Sequence, residues 1–335
     1  MEPYLISRGR RHEEKEDTLI HDPFLNDFTK IIQGKAYRRL AFKTQVVSLP
    51  DNPHVRTRLV HTQEVISIAL AIATQLGLNT NLCLAIAAGH DIGHTPFGHI
   101  GEKLLSKIGG KPFRHEVNSV VIAQHIERKG KGLNLTAETL EGILYHSRGS
   151  GSLCTDVNVP QEYNAVMFAD KIAYNVSDPD DAVRYGFISR DAVLEKTAKL
   201  GRNQRIRVQN IVSALVEESR SKGAVSFSEG EIFEEFEKLR KFMYADVYAN
   251  IDTSLQEQVV YGLCDYFANN SYFEGVSPVL LTSLLTDKEA NYFGTFMIKC
   301  KRPKIEEIAD FGIFEILPYL KGRDIDYTNP DLDWN

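Results

Sequence analysis

The chain has 335 residues, 43% of them hydrophobic, and a formal net charge of −6. That is enough apolar material for a full core, in one large domain with a smaller appendage. The acidic balance excludes a dedicated binder of nucleic acid that works through global basic charge, though not a local basic patch.

The four cysteines, Cys83, Cys154, Cys264 and Cys300, are scattered with no CxxC pair. That usage is expected of reduced structural thiols in a cytoplasmic protein. The start Met-Glu-Pro-Tyr has no apolar run of the signal-peptide kind. No stretch reads as the ~18 apolar residues of a membrane span.

Residues 1–22 are polar, with a charged run over 8–17, and read as an arm that a partner or subunit would have to order. Phe24, Phe28, Ile31 and Ile32 fall at helical spacing and end near Gly34. A second short helix leads to Arg38-Arg39-Leu40-Ala41-Phe42. Residues 46–56, with Pro50, Asp51, Asn52 and Pro53, form a loop. A long helix is predicted over 57–76, with Val60, Val65, Ile68, Ala69, Ile72 and Leu76 apolar and Gly77 at its end.

Residues 81–90 are apolar almost all round, which predicts a helix buried on every side. Helices over 114–129 and 136–146 follow. Thr136 caps the second, and Glu138 and Glu141 suit its dipole. Beyond a loop at 149–152, helices are predicted over 161–178, 205–220, 228–249 and 254–270. Phe233, Phe236, Leu239, Phe242 and Met243 make a core stripe. After about 275 the periodicity weakens, and the acidic tail from Gly322 reads as mobile. Strand signals are rare, so the fold is mainly α.

The segment His90-Asp91-Ile92-Gly93-His94-Thr95-Pro96-Phe97-Gly98-His99-Ile100-Gly101-Glu102 gathers three histidines and two carboxylates. Neighbouring His and Asp side chains point apart within a helix but can share a ligand at a helix end. The glycines and Pro96 place such an end here. His61, early in the long helix, and Asp170, a charge closing the apolar run 165–170, complete a set of four. Two imidazoles and two carboxylates suit a divalent ion such as Mn, Fe, Mg, Ni or Zn, with positions left for water and a phosphate oxygen. An unpaired buried Asp170 would otherwise cost several kcal/mol.

This H…HD…D pattern resembles the HD-domain phosphohydrolases. The stretches Asp22-Pro23-Phe24-Leu25-Asn26-Asp27-Phe28, Ala36-Tyr37-Arg38-Arg39-Leu40 and His54-Val55-Arg56-Thr57-Arg58-Leu59-Val60-His61-Thr62 narrow it. So does Ala169-Asp170-Lys171-Ile172-Ala173-Tyr174-Asn175-Val176-Ser177-Asp178. Together they resemble the deoxyguanosine triphosphate triphosphohydrolase family over about residues 22–220. The resemblance implies an HD-domain helical fold and the splitting of a dNTP, dGTP above all, into deoxynucleoside and inorganic triphosphate. Water would attack the α-phosphorus at a metal held by His61, His90, Asp91 and Asp170.

By the same resemblance, His99 and Glu102 form a catalytic pair, and His115 faces the phosphates and can protonate the leaving 5′ oxygen. Asp170, Tyr174 and Asp178 recur every four residues, so they share a helix face. The resemblance has Tyr174 under the deoxyribose, excluding a 2′-hydroxyl, with Asp178 and Gln45 reading the 3′-hydroxyl. Arg58 and Lys171, close in sequence to metal ligands, are phosphate clamps. His94 either faces the site or packs against Pro96, and His125 and His146 carry no role.

The domain organisation expected is an arm (1–22), an HD-type catalytic domain (23–220), a helical C-terminal region (221–321) and a mobile tail (322–335). The Gly-Met-Thr-Asp-like segment of the family finds no match in 283–300, which leaves guanine preference open. Relatives imply a homo-oligomer, with an allosteric dNTP or single-stranded nucleic acid as a further partner. Arg8, Arg10 and Arg11 leave accessory binding at the arm open. The alternatives are another HD-domain nucleotide phosphohydrolase, or a nucleotide-sensing or single-strand-binding protein that keeps the fold.

Overall fold

The computed structural model describes residues 1–14, 19–46, 54–147, 153, 155–298, 304–308 and 311–334. The expected loop at 149–152, most of that at 46–56, the end of the charged run at 8–17, and Cys154 and Cys300 lie outside the described residues. Cys83 and Cys264 are buried free thiols. Among the described residues there is no β-strand, only two isolated bridges, Arg10 with Thr136 and Thr44 with Thr57. The mainly α reading holds.

The apolar helix Thr80–Gly89 is the centre of the packing. Asn79 caps it, and Leu82, Cys83, Ala85, Ile86, Ala87, Ala88 and Gly89 are all buried. Pro23–Gln33, Arg58–Leu76, Ala137–Tyr145 and Gln161–Arg184 surround it. Small residues let them approach closely: a Cβ on Gly142 would come within 2.3 Å of the Ile86 side chain.

Two hydrophobic clusters flank this centre. One joins residues 65–87 to Tyr163, Phe168, Leu215, Phe227 and Phe236. The other joins Ile31, Val117, Val120 and Leu140 to Leu263, Phe267, Leu281, Phe293 and Leu320. Val212 and Leu215 share the first cluster with Val225 and Phe227, so the boundary expected near 220 falls inside one core.

Several helices differ from their expected limits for identifiable reasons. The helix expected over 161–178 runs from Gln161 to Arg184, passing through Pro179. The helix expected over 114–129 is regular only over His115–Val121. It then widens over Ile122–Ile126 and breaks where Arg128 and Lys129 take positive φ. Two further helices are Arg190–Thr197, which has no long apolar stripe, and Gly98–Gly109, whose stripe Ile100, Leu104, Leu105 and Ile108 packs on the second cluster.

Helix Arg58–Leu76 corrects the membrane reading as well. It is long and apolar enough to cross a bilayer, with mean hydropathy 1.3 over 18 residues. Here Val65, Ile68, Ala69, Ile72 and Ala73 are buried in the first cluster.

Both chain ends lie against the body. Glu138, wholly buried, accepts hydrogen bonds from the Tyr4 hydroxyl, Ser7 Oγ, and Arg8 N and Nε. Arg10 pairs with buried Asp27, and Arg11 with Asp331. The described part of the arm is therefore held by its own chain, with Arg8, Arg10 and Arg11 each paired to a carboxylate. The tail is held too: Tyr327 stacks on Phe113, and Trp334 Nε1 donates to Gln124 at 3.1 Å.

Three hydrogen bonds fix the turn after His90-Asp91. Gly93 N donates to Ser119 Oγ at 2.8 Å, Asn118 Nδ2 donates to Gly93 O at 2.7 Å, and Ser119 Oγ donates to His90 O at 2.9 Å. A Cβ on Gly93 would stand 2.1 Å from Ser119 N and 2.5 Å from His115 O. These are backbone atoms, which cannot rotate away. Gly93→Ala is therefore expected to cost about 3 kcal/mol or more, the upper range for overpacking. An unchanged thermal melting curve would contradict the close approach.

Candidate active site

Five helices deliver their ends or first turns, and a sixth its middle, to one buried place. His61 lies one turn into Arg58–Leu76, and His90 and Asp91 follow the end of Thr80–Gly89. His99 and Glu102 lie in the first turns of Gly98–Gly109, and His115 opens His115–Val121. His146 follows Ala137–Tyr145, and Asp170 lies midway along Gln161–Arg184. Phe97 and Gly98 both take positive φ, a strained reversal that turns the chain from Asp91 into the His99 helix. Buried Asp287 braces it, accepting from Phe97 N at 3.2 Å and from the Thr44 hydroxyl. The stretch 283–287, which showed no family match, thus reaches the wall of this place.

The expected four metal ligands come together. His61 Nε2 is 3.1 Å from Asp170 Oδ1. His90 Nε2 is 3.5 Å from Asp91 Oδ1 and 4.0 Å from Asp170 Oδ1. His90 Nδ1 lies 2.7 Å from Ala87 O and must donate to it, which leaves the Nε2 lone pair aimed at the carboxylates. That Nε2 is buried and makes no hydrogen bond. A buried acceptor without a donor is costly, and a cation resolves it. The donor set therefore fits a divalent ion at His61, His90, Asp91 and Asp170. Fixing an imidazole through a carbonyl on its other nitrogen is the usual support of a metal-bound histidine.

Both carboxylates are held in the ionised form that metal ligation needs. Burial would raise the Asp91 and Asp170 carboxyls. Neighbouring His90, His94 and Arg58 hold Asp91 well below its ordinary range, and Lys171 and His61 do so for Asp170. Both are anions, facing imidazoles that burial keeps neutral at His90, His94 and His146.

The two expected clamps sit on these carboxylates. Arg58 Nη1 donates to Asp91 Oδ2 at 2.7 Å and Nη2 to Gln45 O at 3.3 Å. Lys171 Nζ donates to Asp170 Oδ2 at 3.1 Å and lies 5.4 Å from the Tyr174 ring centre. Both orient the ligands from behind, while the buried Arg58 Nε has no partner.

Glu102 is a bridge rather than a solvated carboxylate. Its Oε2 is 2.5 Å from His99 Nδ1, and its Oε1 is 2.7 Å from His115 Nδ1 and accepts from His115 N at 2.6 Å. Burial opposes ionisation of Glu102, but His115 and His99 outweigh it and hold the carboxyl low. Burial likewise opposes the His115 imidazolium, and Glu102 outweighs it, lifting that pKa to about 9. The His99 side chain is 73% exposed, so it stands at the mouth. His94 is buried inside, 3.2 Å from Asp91 Oδ1 and stacked on His115 with ring centres 3.9 Å apart.

Tyr174 and Asp178 continue the Asp170 face as expected, both buried. The Tyr248 hydroxyl donates to Asp178 Oδ2 at 2.6 Å. Burial pushes the Asp178 carboxyl up to about 7 against that bond.

Sequence reasoning gave no role to His146 or Tyr248. Tyr248 follows a widened turn, Met243–Val247, that helical spacing does not reveal. His146 had a legible signal: like His90, it directly follows a helix that ends against the core. Its Nε2 lies 3.2 Å from His115 Nε2. His125 pairs with Asp331 away from these residues.

Comparison with known proteins agrees with this geometry. The HD domain family matches residues 58–175. The Caldanaerobacter subterraneus subsp. tengcongensis protein named deoxyguanosinetriphosphate triphosphohydrolase-like is 43% identical over 270 residues, covering 79% of this chain and 77% of its own. Proteins of the same name from Clostridium tetani and Desulfatibacillum aliphaticivorans are 38% and 37% identical over 79% and 80% of this chain, and over 78% and 79% of theirs. With its HD ligand set assembled and its similarity running well past that domain, the chain belongs to the deoxyguanosine triphosphate triphosphohydrolase-like family of HD-domain proteins.

Proposed function

We propose that this protein hydrolyses deoxynucleoside triphosphates, dGTP among them, to deoxynucleoside and inorganic triphosphate. The observation that carries this reading is the continuous helix face Asp170–Tyr174–Asp178, which sets a buried aromatic and a buried carboxyl one and two turns from a metal ligand. His61, His90, Asp91 and Asp170 would hold a divalent ion, which would supply Lewis acidity toward an α-phosphate oxygen and toward the attacking water. Arg58 and Lys171 hold the two carboxylates in place and present positive charge to the phosphates. Glu102 orients His99 at the mouth for proton transfer with the attacking water. His115, fixed by Glu102 at Nδ1, turns Nε2 toward Asp91. Tyr174 walls the 2′ side of the sugar, and Asp178 with Gln45 accepts from the 3′-hydroxyl. The reading includes a homo-oligomer, an accessory dNTP or single-stranded nucleic acid, and a cytoplasmic setting, supported by family resemblance and by the free buried thiols.

Incubation with each dNTP and Mn or Mg, with products resolved by ion-exchange chromatography, tests it. Triphosphate and deoxynucleoside are expected. Monophosphate or pyrophosphate would favour another HD phosphohydrolase activity.

His90→Ala and Asp91→Ala should each lose bound metal and turnover together, because each removes a ligand. Full metal content by elemental analysis in either variant would remove that residue from the site. Tyr174→Ala should lower kcat/KM for dGTP and narrow the gap between dGTP and GTP. An unchanged ratio would return Tyr174 to core packing.

Asp178 has a pH signature. Its carboxyl titrates near 7 when folded, and near 4 when unfolded. The unfolded chain therefore ionises it first, and stability falls as pH rises from about 4 to 7. Asp178→Asn should remove that decline, worth a few kcal/mol at about 1.4 kcal/mol for each tenfold change in the ionisation constant. Melting curves of the two proteins that run parallel from pH 4 to 8 would contradict it.

A further inference from the structure

Between Asp91 and the His99–Glu102 pair the chain crosses residues 92–97 with no regular helix. Gly93 is fixed on one side of this loop by Asn118 and Ser119. The other side meets a second set of buried polar groups that the reaction has not yet used.

Lys43, Thr44 and Asp287 are all buried. Lys43 Nζ donates to His94 O, and to Ser283 O at 3.4 Å. Asp287 Oδ1 accepts from Phe97 N at 3.2 Å. Its Oδ2 accepts from Thr44 N at 3.3 Å and from the Thr44 hydroxyl. The loop is thus strapped at His94 and at Phe97, and both straps run to the stretch 283–287. The second strap needs a carboxylate, because donors arrive on both oxygens. An amide accepts on one side only.

The strapped segment is one that would not hold itself. Phe97 and Gly98 take φ of 63° and 56°, and a side chain adopts that region only where its surroundings impose it. The reversal ends against the site: a Cβ on Gly98 would stand 2.7 Å from Arg58 Nη2 and 3.8 Å from Gln45 O. Arg58 N donates to Lys43 O at 2.9 Å. One carboxylate therefore grips the chain two residues before His99 and ties it to the segment that supports Arg58.

We propose that Asp287, assisted by Lys43, is a positioning residue for the chemical step. It holds the His99–Glu102 pair in register with Asp91 by tying Phe97 N to Thr44, and touches neither substrate nor metal ligands. The proposal rests on the reading of His99 and Glu102 as the proton-transfer pair. Releasing the strap lets the reversal relax and moves His99 relative to Asp91. Substrate binding is left to Arg58, Lys171, Tyr174 and Asp178, and Gln45 keeps its own tie to Arg58 Nη2. The signature is a lowered kcat at constant KM.

The test compares full-chain Asp287→Asn, nearly isosteric, with Glu289→Gln. Glu289 lies two residues on in the same helix and accepts from Thr286, Gly312 and Arg39, away from the loop. Each is assayed for triphosphate release from dGTP, for bound Mn²⁺ and for thermal stability. Asp287→Asn should lower kcat by about 10- to 100-fold, the scale of a small misplacement of reacting groups, with KM and bound Mn²⁺ unchanged. Glu289→Gln should keep the wild-type kcat. Wild-type kcat in Asp287→Asn, a rise in KM alone, loss of Mn²⁺, or an equal fall of kcat in Glu289→Gln each overturns the proposal and leaves the dNTP reading standing. A wild-type chain that releases no triphosphate overturns both. Should Asp287→Asn fail to fold, Thr44→Val, which removes one donor to the same carboxylate, decides: a lowered kcat at constant KM supports the strap, and wild-type kcat overturns it.

Discussion

Asp91 and Asp170 are buried carboxylates, and a buried anion persists only where positive charge or donors surround it. Here Arg58 and Lys171 reach one oxygen of each, and imidazoles from separate helices reach the other. The arrangement is not self-sufficient, because His90 Nε2 is left with a lone pair and no donor. The helical scaffold holds apart groups that a cation would draw together. Breaking one member of such a set typically costs about 3–5 kcal/mol, so the site constrains the fold as much as the fold places the site.

Helix ends do most of that placing. A side chain within a regular helix faces one neighbour. A side chain just past the last turn can bond its own helix through one atom and reach outward with another. His90 and His146 both use this geometry, and the sharp reversal at Phe97 and Gly98 brings Glu102 back beside His115. The apolar Thr80–Gly89 helix, packed on all sides, makes the common origin rigid. Gly93 then lets the turn after Asp91 touch the backbone of the next helix without a side chain between. Sites on such supports keep their geometry without substrate, which is what electrostatic preorganisation requires.

Much of this was legible in the sequence. The His90-Asp91 pair stands where an apolar helix meets glycines, and the four-residue spacing of Asp170, Tyr174 and Asp178 is unambiguous on a helix. What spacing could not show was contact between distant elements. His146 looks like any helix residue until Ala137–Tyr145 is packed beside Thr80–Gly89. Tyr248 reaches Asp178 only because the helix widens over Met243–Val247. The first residues look like a free arm because their partners, Asp27, Glu138 and Asp331, are far away in sequence. Asp287 was passed over for the same reason, although its carboxylate holds the turn at Phe97.

The central claim is that water attacks the α-phosphorus and the bond to the 5′ oxygen breaks. The most direct measurement is hydrolysis of dGTP in ¹⁸O-labelled water, followed by mass spectrometry of the products. The account predicts one ¹⁸O in the inorganic triphosphate and none in deoxyguanosine. Label in the deoxynucleoside, or release of labelled pyrophosphate or phosphate instead of triphosphate, would contradict it.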